Sequence, residues 1–255
     1  MITDLIKGIW FGEREESLYD ECNSIEQNKL LNYLKEFKQG DFSKKLEFFD
    51  FFTQSTDSKV YNLGIRIFLY IANHQDFSYI QPFLAECDEK EIRIFLAFVE
   101  ESLSYQSIPY LLALMDEWEE TDVGEEVAQV INDMICDNDD DVECGIDSMV
   151  ELGNKFIEFS EKNDLSRYYY SGEEFFVGDL TKTLITDVFI CKSQNKPFYY
   201  SQISSILSNS TGILCPIANK TVIDDKKIRE LMEYVEKVAS LNLERGCKYF
   251  YGIKI

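Results

Sequence analysis

Three helix-start signals at near-equal intervals constrain this chain more than any other feature. Ser58, Asp88 and Thr121 each stand directly ahead of an apolar-periodic run, where an N-cap belongs, and they are 30 and 33 residues apart. Only four Pro and 12 Gly interrupt the 255 residues, so helical periodicity runs nearly unbroken. The periodicity predicts three helix pairs: 42–53 with 58–73, 77–86 with 88–102, and 107–119 with 121–137. Val123, Val127, Val130, Ile131 and Met134 form one apolar stripe in the last of these, with Glu125, Glu126, Gln129 and Asp133 off it. Val60, Leu63, Ile67 and Ile71 make a similar stripe, and Pro109 suits an opening helical turn. One helix pair cannot bury its own apolar face, so such repeats must stack, as they do in an α-solenoid.

The segment Ser58-Lys-Val-Tyr-Asn-Leu-Gly-Ile-Arg66 and the pairs around it resemble HEAT-like repeats in pattern over about residues 41–160. A further helix is expected over 144–162, with Ile146, Met149, Val150, Gly153, Phe156 and Ile157 facing inward. Leu30, Leu31, Leu34 and Phe37 recur at helical spacing in a segment expected to cap the first repeat. From about Leu165 the texture changes. Tyr168-Tyr-Tyr-Ser-Gly172 reads as a turn whose Tyr rings pack inward, and 180–191 as a helix. Residues 211–223 mix β-branched and turn residues as a short hairpin does. Asp224 or Asp225 would cap a helix running to about Leu243, and 248–255 reads as a strand. The fold expected is mainly α: a HEAT-like α-solenoid over 1–164, including an N-terminal cap, and a small α+β C-terminal piece over 165–255.

Charge is as unevenly distributed as periodicity is regular. Between Glu86 and Glu151 lie 21 of the 47 acidic residues, against two basic ones, Lys90 and Arg93. These 66 residues carry −19 of the total −22. Such a field attracts a basic partner and repels nucleic acid, anionic membrane and anionic substrates. Spreading the acids evenly would give solubility with less self-repulsion, so their concentration points to binding. The chain is 45% apolar, with 19 Phe and 15 Tyr, which is enough to fold despite the charge.

Enzyme chemistry has little to build on. The single His, His74, follows Asn73 at a predicted helix end, where it would satisfy a terminal carbonyl or complement the helix dipole. The chain has no GxxxxGK[ST], no GxGxxG after a strand, no GxSxG and no HExxH. Seven Cys form no CxxC pair, so they read as small buried hydrophobes and not as a disulfide or zinc framework. Asp137, Asp139 and Asp141 echo the start of an EF-hand loop. Val142 stands where the loop needs glycine and Ser148 where it needs the bidentate glutamate, so a solvated acidic loop is expected. No metal and no cofactor are expected. No apolar run reaches the roughly 18–20 residues that cross a membrane. The opening MITDLIKGIWFGERE has no signal-peptide pattern, so a cytoplasmic location is expected.

After the helical body come Gly212-Ile-Leu-Cys-Pro-Ile-Ala-Asn-Lys-Thr-Val-Ile-Asp224, a helix, and Gly246-Cys-Lys-Tyr-Phe-Tyr-Gly252. This combination resembles a family of bacterial immunity proteins from polymorphic-toxin systems, over most of the chain. The resemblance implies a non-enzymatic cytoplasmic protein that binds a toxin encoded beside it, without identifying the toxin's activity. The acidic surface would then meet a basic toxin domain, a nuclease among the candidates, with neither nucleic acid nor membrane as partner. The candidate contact residues are Asp116, Glu119, Glu120, Glu125, Glu126, Asp133, Asp139, Asp140 and Asp141. Two other readings stand beside this one: a HEAT-like adaptor for endogenous proteins, and an enzyme built on helical repeats. The sequence leaves the oligomeric state open.

Overall fold

The computed structural model describes residues 24–119, 121–135, 148–199 and 202–255. These contain 11 α-helices and two two-stranded antiparallel hairpins, so the chain is mainly helical. Two compact units emerge: one runs to Ile71 and resumes over Phe176–Ile255, and the other is Ala72–Phe175.

In the first unit, α1 (Ile25–Lys38) opens on a capping box in which Ser24 and Gln27 satisfy each other's backbone amides. Its Leu30, Leu31, Tyr33, Leu34 and Phe37 are buried, and it packs on α2 (Lys45–Thr53) and α3 (Ser58–Ile71). The core here is aromatic: the Phe49 and Phe68 ring centroids are 4.7 Å apart, and those of Phe37 and Phe48 5.3 Å. A Cβ on Gly64 would lie 2.4 Å from the Phe52 ring, so only glycine lets α3 approach α2 this closely. The cap of α3 is Asp57, whose Oδ1 accepts from the Lys59 amide at 2.9 Å. Ser58, the expected cap, is instead the first helical residue.

The second half of that unit holds α9 (Val177–Ser193), α10 (Gln202–Thr211), α11 (Asp225–Ala239), β3 (Tyr249–Phe250) and β4 (Ile253–Lys254). Helix α10 is buried from Ile203 to Thr211, although Ser204, Ser205, Ser208, Asn209, Ser210 and Thr211 are polar. Burial is tolerable where polar groups find partners. Ser208 Oγ donates to the Ser204 carbonyl at 2.7 Å, Thr211 Oγ1 to Leu207 at 2.7 Å, and Arg66 of α3 to Ser205 Oγ at 2.9 Å. Lys248, equally buried, donates to the Leu69 carbonyl at 2.7 Å.

The second unit begins with a 3-10 turn, His74–Asp76, followed by α4 (Phe77–Leu84), α5 (Glu89–Val99), α6 (Ile108–Glu117), α7 (Asp122–Ile135) and α8 (Met149–Lys162). A hairpin, β1 (Tyr169–Tyr170) with β2 (Glu173–Glu174), ends it. Helix α4 packs on α6, α5 on α7, α6 on α7, and α8 on both α6 and α7. Asp88 caps α5 as expected, in a capping box with Glu91. Thr121 precedes α7, its carbonyl accepting from the Gly124 amide at 3.0 Å. Tyr168 and Tyr169 are buried, as expected of the Tyr168–Gly172 turn.

Four expectations need correction. Residues 211–223 form no hairpin: α10 ends at Thr211, and the segment beyond makes one isolated bridge, Phe198 with Thr221. The 248–255 stretch is a hairpin and not a single strand, because Tyr251 and Gly252 both have positive φ and reverse the chain. Met149, Val150 and Ile157, expected inward on α8, are exposed, and Leu152 is the fully buried residue of that helix. Of the four free cysteines among the described residues, Cys215 alone is buried, and burial pushes its thiol pKa up to about 11.

Candidate functional site

The expected contact residues Asp116, Glu119, Glu125, Glu126 and Asp133 lie on α6, α7 and the turn between them. Glu120, Asp139, Asp140 and Asp141 fall outside the described residues, as does most of the EF-hand-like stretch. In α7, Val123, Gly124, Val127, Ala128, Ile131 and Met134 are buried. Steric logic then assigns Asp122, Glu125, Glu126, Gln129 and Asp133 to the opposite face, within roughly 100° of arc. A Cβ on Gly124 would come 2.5 Å from the Trp118 carbonyl oxygen, so glycine holds the start of α7 tight against the end of α6. That close turn brings Glu119 near the first acidic turn of α7.

The carboxylates are not equivalent. Glu126 forms an ion pair with Arg93 of α5, whose Nη2 also lies 2.9 Å from Glu89 Oε1 within α5. Arg93 is one of two bases in the acidic tract, and it is committed to two of the tract's own carboxylates. Asp133 Oδ1 accepts from Gln129 Nε2 at 2.6 Å. Its side chain is exposed, yet partial desolvation of the carboxyl raises its pKa, and the Gln129 hydrogen bond opposes that rise. Asp116, Glu119 and Glu125 are exposed. Asp116 and Glu117 sit in the last turn of α6, at the negative end of its dipole, with no base in that turn. This placement costs helix stability, typically about 0.3–1 kcal/mol per charge. Asp122 and Glu117 belong to the same surface and were legible as exposed positions flanking the expected set.

His74 has a structural role within its unit. Nδ1 is 2.7 Å from Ser104 Oγ, Nε2 is 3.2 Å from the Ser166 carbonyl, and the ring stacks on Tyr168 at 4.2 Å. With both nitrogens engaged, the ring is fixed in place. What the α6–α7 surface offers chemically is a negative field on a rigid helical support.

The chain is mainly helical with a concentrated acidic tract, and its class is that of the immunity proteins. The chain belongs to the Immunity protein 47 (Imm47) family, whose family model matches residues 7–255. No curated protein and no solved structure matches it. Among the described residues no helix is long and apolar enough to cross a membrane.

Proposed function

We propose that this chain neutralises a cognate bacterial toxin by binding its toxic domain in the cytoplasm, and that it does so without catalysis. The observation that carries this reading is the family match across residues 7–255. The toxin domain is basic, a nuclease being the class whose substrate groove best fits this charge, and the chain meets it with the acidic face of α6 and α7. Support comes from the net −19 between Glu86 and Glu151 and from Asp116 and Glu117, held where they weaken their own helix. Binding covers the active-site cleft or imitates nucleic-acid charge, and neither nucleic acid nor membrane is a partner. The packing of α4 on α6 and of α5 on α7 supports a HEAT-like stacking of helix pairs in this unit. Asp139–Asp141 and Glu120 belong to the same acidic tract of the sequence.

The test is a quadruple variant, Asp116→Asn, Glu119→Gln, Glu125→Gln and Asp133→Asn, titrated against the toxin domain encoded by the adjacent gene. Association should slow about tenfold or more and its salt dependence should flatten. Glu126→Gln is the contrasting change, since it strips Arg93 of a partner and weakens the fold more than the binding. An unchanged association rate and salt slope in the quadruple variant would overturn the charge-based mechanism.

A further inference from the structure

Helix α8 carries its apolar stripe on the wrong side for a core. Val150 is 66% exposed, Ile157 54% and Met149 37%, whereas Leu152 is 0% exposed. Met149, Val150, Gly153 and Ile157 fall on one helical strip, and among the described residues nothing covers it. Gly153 is the second anomaly. Glycine inside a helix is unfavourable and normally has a packing reason. The other helical glycines with mapped surroundings have one: a Cβ would meet the Phe52 ring at 2.4 Å from Gly64, the Trp118 carbonyl at 2.5 Å from Gly124, and the Phe176 ring at 2.5 Å from Gly178. A Cβ on Gly153 would meet no atom within 4 Å. The notch it leaves in the stripe faces open space.

The border of the stripe is acidic. Glu151 and Glu161 are exposed, and Glu158 is exposed with Lys162 4.0 Å away. The Ser148 hydroxyl and amide donate to Glu151 at 2.7 and 2.8 Å. Lys155 Nζ, 3.2 Å from Asn132 Oδ1, ties α8 to α7 one residue from Asp133. An apolar centre with a charged rim is the anatomy of a protein interface, and the centre contributes most of the affinity.

Building on the toxin-binding reading, we propose that Met149, Val150, Gly153 and Ile157 of α8 form the apolar centre of the docking surface for a basic protein domain. That domain seats an apolar side chain or a backbone ridge in the Gly153 notch and sets Lys and Arg against the rim of Glu151, Glu158, Glu161 and Asp133. The rim steers the encounter and the stripe slows dissociation. The glycine then answers to the partner's close approach and to no contact among the described residues.

The experiment is calorimetric titration of the toxin domain from the adjacent gene with the wild-type chain, Gly153→Trp, and the double variant Val150→Asp/Ile157→Asp. Because the notch is empty and the other two sites are exposed, all three proteins should melt cooperatively, with G153W no less stable than wild type. Both variants should bind at least about tenfold more weakly, through faster dissociation. Wild-type affinity in either folded variant would overturn this inference and leave the proposed function standing. No binding by the wild-type chain would overturn both. A wild-type dimer that the double variant converts to monomer would also overturn it, because the stripe would then be covered by a second copy of the chain.

Discussion

Individual side chains show how a strongly acidic chain holds together. Arg93 is shared between Glu89 and Glu126, and Arg245 reaches Asp179, which Lys182 also approaches at 2.8 Å. These pairs are partly exposed, so each is expected to contribute less than about 1 kcal/mol, screened by salt. Lys182 and Arg245 hold the Asp179 carboxyl below its usual 3.8. A depressed folded-state pKa gives stability that is present above 3.8 and is lost as the pH falls through the folded value. Asp179→Asn should therefore be less stable than wild type near neutrality, by up to about 1 kcal/mol. That gap should close as the solution is taken below the normal carboxylate range. Urea unfolding of both proteins at neutral and acid pH reads it, and a gap that does not change with pH would contradict the ion-pair account. Glu126, expected as a contact, also joins α7 to α5 through its ion pair with Arg93.

At the scale of elements, one device appears twice. The β1–β2 turn uses Ser171 and Gly172, and the β3–β4 turn uses Tyr251 and Gly252, each pair with positive φ. Gly172 donates to the Met134 carbonyl at 2.9 Å, closing the end of α7. Tyr251 and Gly252 donate to Asn209 and Ser210 at 2.6 and 2.8 Å, closing the end of α10. Each hairpin thus satisfies carbonyls that a helix end leaves open. A Cβ on Gly252 would meet its nearest atom, the Thr211 oxygen, at an ordinary 3.7 Å, so a substitution there is strained mainly by φ +77°. Gly252→Ala should lower unfolding free energy by about 1 kcal/mol. An unchanged denaturation midpoint would show that the turn adapts without cost. The helices of 42–135 were legible because their apolar residues recur at helical spacing, helped at α5 by the Asp88 capping box. Helix α10 was not, because small polar side chains are buried on it beside Ile203, Ile206 and Leu207, with Ser208 and Thr211 bonding the carbonyl four residues back, which blurs the hydrophobic period. Helix α8 was legible as a helix but not as to its facing, since periodicity finds an apolar stripe without saying what covers it.

Across the whole molecule, charge and family point the same way. Nearly all of the net −22 sits in one 66-residue tract, while the remaining 189 residues are close to balanced. The family is one of immunity proteins, and under the function proposed above a field of that size serves to capture a basic toxin domain. The exposure of Asp116, Glu119, Glu125 and Asp133 was legible, because exposed helix positions follow from the buried ones. The apolar strip beside it needed the three-dimensional packing of α8. The measurement that tests this account most directly is the growth of cells expressing the toxin from the adjacent gene, with and without this chain. Full rescue, with the two proteins purifying as one complex, is the predicted result. Cell death despite abundant, folded chain and no complex would contradict it.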